Sequence, residues 1–85
     1  MKKFSYVIKD EAGIHARPAG MLVKEVKKYE SSITILKDGK SVEATKIIAI
    51  MGMDIKYGQM VEVEIIGVDE EAAFKGIKEF FEKNL

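Results

Sequence analysis

The sequence has no cysteine, one proline, one histidine and one arginine in 85 residues. Without cysteine there is no disulfide, no thiolate metal site and no thiol nucleophile. Charge of either sign is also missing in excess: Lys+Arg and Asp+Glu are both 14, so the formal net charge is zero. That balance argues against a general polyanion or nucleic-acid binder, which carries a basic surplus. No apolar run approaches the roughly 20 residues of a membrane span. The start, Met1-Lys2-Lys3, leads into alternating Phe4-Ser5-Tyr6-Val7 rather than the apolar core of a signal peptide. The expected compartment is therefore the cytoplasm. The length suits one domain, residues 1–85, and at this size folding buries only about 60% of the accessible surface. The 47% of hydrophobic residues supply one core and no second.

The scarce residues are not scattered. His15-Ala16-Arg17-Pro18 holds the only histidine, the only arginine and the only proline of the chain. The one side chain that titrates near neutrality thus sits beside the one guanidinium.

Periodicity supplies the frame around this segment. Residues 3–9 alternate, with Phe4, Tyr6 and Ile8 on one side, as a half-buried strand does. Asp10-Glu11-Ala12-Gly13 breaks the pattern, with Gly13 as the expected positive-φ residue. From Ala16 to about Lys28 the period is helical, with Ala19, Leu22, Val23 and Val26 as the apolar stripe. Pro18 fits the first turn, whose N–H groups have no intrahelical acceptor.

Ser32–Lys37 reads as a strand, Asp38-Gly39 as a hairpin turn and Lys40–Glu43 as the return. Residues 45–53 are mostly apolar, short and β-branched, so the period does not separate helix from strand. Ile47, Ile48, Met51 and Met53 exceed what one short helix buries, which leaves part of the cluster as an exposed apolar patch. Val61, Val63 and Ile65 alternate with Glu62 and Glu64 as a strand with one wet face. Asp69 reads as an N-cap, followed by Glu70 and Glu71 at the positive end of a last helix. Ala73, Phe74, Ile77, Phe80 and Phe81 form that helix's buried stripe. The order β-α-β-β-α-β-α implies an α+β fold with helices on one face of a four-stranded antiparallel sheet.

A histidine at a helix N-cap faces the free N–H groups of the first turn, and the helix dipole favours an anion there. A phosphoryl group on the ring would meet the N–H groups of Ala16 and Arg17, and Arg17 could add charge-assisted bonds. Reversible phosphorylation of His15 suits this arrangement and needs no metal in the protein. A plain capping or surface histidine is the simpler alternative. A metal site has less support, because no second histidine and no cysteine join His15. Acid–base catalysis would need a pocket and a partner carboxylate, and Asp10 and Glu11 read as solvated turn residues. Lys24, Lys27 and Lys28 place positive charge on the same helix, either as a solvated face or as a dock for an acidic partner.

Gly13-Ile14-His15-Ala16-Arg17-Pro18-Ala19 resembles the active-site signature of the HPr family, the histidine-containing phosphocarriers of the bacterial phosphoenolpyruvate-dependent sugar phosphotransferase system. The resemblance extends over essentially the whole chain, including the Asp38-Gly39-Lys40 hairpin and the Asp69-Glu70 helix start. It implies an open-faced β-sandwich with sheet order 1-4-2-3 and three helices. It implies that His15 accepts a phosphoryl group on Nδ1 from enzyme I and passes it to enzyme IIA proteins or domains, with Arg17 and the N–H groups of Ala16 and Arg17 holding the phosphoryl oxygens. Lys24 and Lys27 match positions that meet acidic partner surfaces, and Ile47, Ile48 and Met51 match the short second helix that docks both partners. No cofactor, metal or nucleic acid is implied, nor any membrane insertion. Such a protein is a stoichiometric carrier rather than an enzyme with its own substrate pocket, and a monomer is its simplest state.

The resemblance is not complete, and Ala49 and Asp54 stand where many members have glycine. Lys46 stands where the family usually has a serine that a regulatory kinase phosphorylates, so no serine switch is expected there, and Thr45 lies one position out of register. Gly20 follows Pro18-Ala19 where alanine or threonine is commoner. An intact signature beside a diverged regulatory segment fits a sugar carrier without the switch. It also fits a paralogue that serves a non-sugar or regulatory phosphotransfer chain. A binding module that keeps the fold without relaying phosphate is disfavoured by the presence of His15. A generic domain binding an anion or RNA on its sheet is disfavoured by zero net charge and the lack of clustered strand aromatics.

Overall fold

Asp38 and Gly39 both take positive φ, 50° and 79°. This is the backbone of the tight two-residue turn whose twist matches that of paired strands, and it sets Lys37 opposite Lys40. The computed structural model describes residues 1–85. Its elements are β1 (Lys2–Val7), α1 (Ala16–Val26), β2 (Ser32–Lys37), β3 (Lys40–Glu43), α2 (Ile47–Gly52), β4 (Met60–Ile66) and α3 (Glu70–Asn84). The strands form one antiparallel sheet of order β1-β4-β2-β3. The order of elements and of strands is the one the sequence implies.

Alternation sorts the two faces of the sheet. Phe4 pairs with Val63, Val63 with Ile35, and Ile65 with Ile33, so these side chains share the face that the helices cover. All are buried, with Val63, Ile35 and Ile65 at 0% exposure. The opposite face carries Lys3, Glu62 and Glu64, and Lys3 lies 3.4 Å from Glu62 and 3.6 Å from Glu64.

α3 drives Phe81 into the middle of the core, edge-on to Phe4 at 5.6 Å and to Tyr6 at 5.5 Å between ring centroids. Burying such a side chain contributes about 1.5–3 kcal/mol. Phe80 and Phe81 are buried as the helical stripe requires, while Phe74 lies at the margin, half-buried against Phe4.

One boundary differs from the periodic reading. β1 ends at Val7, and Ile8 is buried just beyond it, its N–H donating to the Gln59 carbonyl and its carbonyl accepting from Gly58. Within residues 45–53, where period alone left helix and strand open, Ile47–Gly52 form the short helix of the expected order: Ile50 and, just past its end, Met53 turn into the core, whereas Ile47, Ile48 and Met51 stay exposed.

Candidate functional site

Residues 8–15 are held at both ends before they deliver His15. The N–H groups of Lys9 and Asp10 donate to the Leu85 carbonyl at 2.6 and 2.8 Å. Asp10 then turns the chain by accepting the Ala12 N–H on its own carboxylate at 2.8 Å. Gly13 follows at φ 68°. A Cβ there would collide with the Ile55 carbonyl oxygen and lie 2.8 Å from the Lys56 Cα. Only glycine fits both the space and the conformation. The closeness lets the next N–H, that of Ile14, donate to the Ile55 carbonyl at 2.9 Å. Ile14 is buried, and the chain emerges at His15. The turn pattern points to Gly13, but Ile55 as its seat and Leu85 as the acceptor for Lys9 and Asp10 are long-range partners that local pattern does not reveal.

His15 is the N-cap of α1, with extended backbone (φ −103°, ψ −173°), and its carbonyl accepts the first intrahelical bond, from Ala19 at 3.0 Å. Its side chain makes no capping hydrogen bond, so the ring is not spent on the helix. The ring is exposed between two hollows. One is lined by Met51, Ile55, Lys56 and Tyr57, the other by Asp10, Arg17, Pro18 and Met21. Ala16 and Arg17 are the first two helical residues, so their N–H groups lie before the first intrahelical donor. Pro18, buried, occupies the third position, where a missing N–H costs nothing. Arg17 is exposed and takes part in none of the chain's ion pairs. An anion bound to the ring would meet backbone donors and an uncommitted guanidinium.

Lys24 and Lys27 are exposed on and just beyond the same helix and are likewise unpaired, whereas Lys28 is held by Glu25 at 3.0 Å. α2 brings a second, apolar contribution: Ile48 is 79% exposed, Met51 40% and Ile47 36%. Met51 reaches the hollow beside His15, and Ile47 Cδ1 lies 3.6 Å from where a Cβ on Gly20 would stand, so α2 and α1 present a continuous surface. Lys46 is the N-cap of α2, extended and without a side-chain cap. Thr45 is exposed beside it.

Asp69 does occupy the N-cap position of α3, but its carboxylate does not cap that helix. It accepts the N–H groups of Glu30 and Ser31 and the Ser31 hydroxyl instead. These bonds, that of the Ser31 hydroxyl foremost, hold its carboxyl below the usual value of 3.8. Glu70 takes over at the helix start, accepting the Gly67 N–H at 3.1 Å and the N-terminal ammonium at 2.8 Å.

Comparison with known proteins shows the family. The family model described as "PTS HPr component phosphorylation site" matches residues 2–83. The phosphocarrier protein HPr of Mycoplasma capricolum is 40% identical over 79 residues, which are 93% of this chain and 89% of that protein. The chain belongs to the HPr family. HPr-C-His from Thermoanaerobacter tengcongensis superimposes with a TM-score of 0.93 at 37% identity, covering 98% of this chain and 93% of that one. A solved HPr dimer from the same organism matches with a TM-score of 0.77, at 98% and 95% coverage. Sheet order and element order are therefore those of solved HPr structures, and membership makes the chain a phosphocarrier of the phosphotransferase system. No helix is long and apolar enough to cross a membrane.

Proposed function

We propose that His15 is the phosphoryl acceptor of this chain and relays the group from enzyme I to enzyme IIA. The observation that carries the reading is the exposed ring at the start of α1, free of capping duty and followed by an unpaired Arg17. Nδ1 of the neutral ring attacks phosphorus, the donor's bond to phosphorus breaks as the N–P bond forms, and the second ring nitrogen keeps its proton. The N–H groups of Ala16 and Arg17 and the Arg17 guanidinium receive the phosphoryl oxygens. Transfer to a histidine of enzyme IIA reverses these roles. Exposed Ile47, Ile48 and Met51 supply the apolar centre of the docking surface, and Lys24 and Lys27 meet acidic side chains at its rim. In this reading residues 1–85 act as one cytoplasmic domain and dock as a monomer.

The test is to incubate the protein with enzyme I, Mg²⁺ and labelled phosphoenolpyruvate and to follow acid-labile label. Wild type is labelled and His15→Ala is not; equal labelling of both overturns the assignment. A paralogue serving a non-sugar or regulatory chain has one feature in its favour, Lys46 in place of the regulatory serine. Passage of label to a sugar-specific enzyme IIA separates the two.

A further inference from the structure

Lys37 stands in a row that should be apolar. Along β2, Ile33, Ile35 and Lys37 point to the same face of the sheet, the one covered by helices, and the first two are buried. An ammonium at such a position needs acceptors, and Lys37 has two. Its Nζ donates to the Met53 carbonyl at 3.1 Å and to the Asp54 carbonyl at 2.9 Å. No carboxylate pairs with it.

These carbonyls are at a joint. Met53 is the C-cap of α2, where carbonyls lack intrahelical donors and partial negative charge collects. Asp54 follows with φ 52°, a conformation that L-residues other than Asn and Asp seldom take. The next carbonyl, that of Ile55, is the seat of Gly13 and the acceptor for Ile14, the residue before His15. One ammonium on β2 thus clamps the turn whose near side is the exposed face of α2 and whose far side supports the His15 loop.

We propose that Lys37 is a positioning residue for phosphoryl transfer, fixing the α2 face and the His15 loop in one arrangement through the Met53 and Asp54 carbonyls. The inference rests on His15 being the phosphoryl acceptor. Lys37 touches neither the ring nor a partner in this scheme. Its effect reaches the chemistry through Ile55, and both partners use the same surface, so loss of the clamp slows transfer in both directions. Misplacement of a reacting group by about 1 Å through a remote change can cost on the order of 100-fold.

The experiment compares wild type, Lys37→Met and Lys37→Arg in rapid-quench phosphoryl transfer from enzyme I and to enzyme IIA. It is run at a temperature where each variant is fully folded by circular dichroism. Amide exchange at Ile14 is read in parallel. Lys37→Met should lower both second-order rate constants by about 10-fold or more and speed exchange at Ile14, and Lys37→Arg should restore most of the rate. Rates within twofold of wild type in folded Lys37→Met overturn the proposal, as does unchanged exchange at Ile14. Should Lys37→Met not fold, Lys37→Thr, polar and suited to a strand but too short to reach the Met53 and Asp54 carbonyls, replaces it under the same criteria. Failure of the wild type itself to take label at His15 would instead overturn the assignment of the acceptor.

Discussion

One oxygen of Asp69, Oδ1, accepts both the backbone N–H of Ser31 at 2.9 Å and the Ser31 hydroxyl. The second oxygen accepts the Glu30 N–H at 2.8 Å. The start of α3 is thereby tied to the segment that enters β2, and Gly67 closes against the same place: a Cβ there would stand 2.6 Å from the Ser31 Cα.

This tie makes stability depend on acid. The bonds from the Ser31 hydroxyl and the Glu30 and Ser31 N–H groups hold the Asp69 carboxyl below 3.8 in the folded protein. The N-terminal ammonium and the Gly67 N–H hold Glu70 below 4.5. Both folded values lie below the unfolded ones. Their contribution is complete above the unfolded values and is lost as the pH falls through the folded ones. Tm should be flat from neutrality to about pH 5 and then fall below about pH 4. Asp69→Asn should melt lower at pH 7 and show a shallower acid decline. Parallel curves for the two proteins would contradict this account.

Gly13→Ala should be among the most damaging single-methyl additions. The new Cβ would strike the Ile55 carbonyl, and φ 68° is unfavourable for alanine. A loss of about 1–3 kcal/mol is expected from urea unfolding. Because the loop that carries His15 must move to relieve the clash, phosphoryl transfer should fall as well. A variant with wild-type stability would show that the loop yields easily.

Gly20 and Gly76, each inside a helix, should respond in opposite ways to alanine. At Gly20 the nearest atom to a new Cβ is Ile47 Cδ1 at 3.6 Å, an ordinary contact. Gly20→Ala should raise stability by about 0.5–1 kcal/mol, the helical cost of glycine. At Gly76 a Cβ would run into the Tyr29 hydroxyl and lie 3.0 Å from Tyr29 Cζ. Gly76→Ala should destabilise the protein, and a Tyr29→Ala background should remove most of that penalty. The double-mutant cycle gives the coupling directly, and additive effects would exclude the contact as the cause.

Ile48→Asp should separate docking from folding. The side chain is 79% exposed, so Tm should shift little. Phosphoryl transfer from enzyme I should show a KM raised about 10-fold or more with kcat largely spared. An unchanged KM would remove α2 from the docking surface.

The scaffold was legible where local chemistry decides it. Asp38-Gly39 announces its turn because both residues tolerate positive φ, and the alternation of residues 61–65 leaves one face for the core. The cluster of His15, Arg17 and Pro18 could be read from scarcity alone. Residues 45–53 could not be assigned by period, because a two-turn apolar segment satisfies either pattern until tertiary packing selects Ile50 and Met53 for burial. Asp69 shows a subtler limit: the residue type suits an N-cap, and the position is one, but Ser31 competes for the carboxylate from a distant part of the chain. Lys37 was hidden for the same reason, its acceptors being carbonyls that only the folded chain brings near.

The strand order has a temporal side. β4 is the last strand to be made, yet it is the one that β1 pairs with along its whole length, from Lys2 with Ile65 to Val7 with Met60. At roughly 5–20 residues per second, β1 leaves the ribosome seconds before its partner exists. The β2–β3 hairpin needs only residues 32–43, close in sequence, and its β2 edge is the one on which β4 docks. Completion of the sheet, and with it the seat that Gln59 and Gly58 give to Ile8 at the root of the His15 loop, therefore waits on the last strand of the chain.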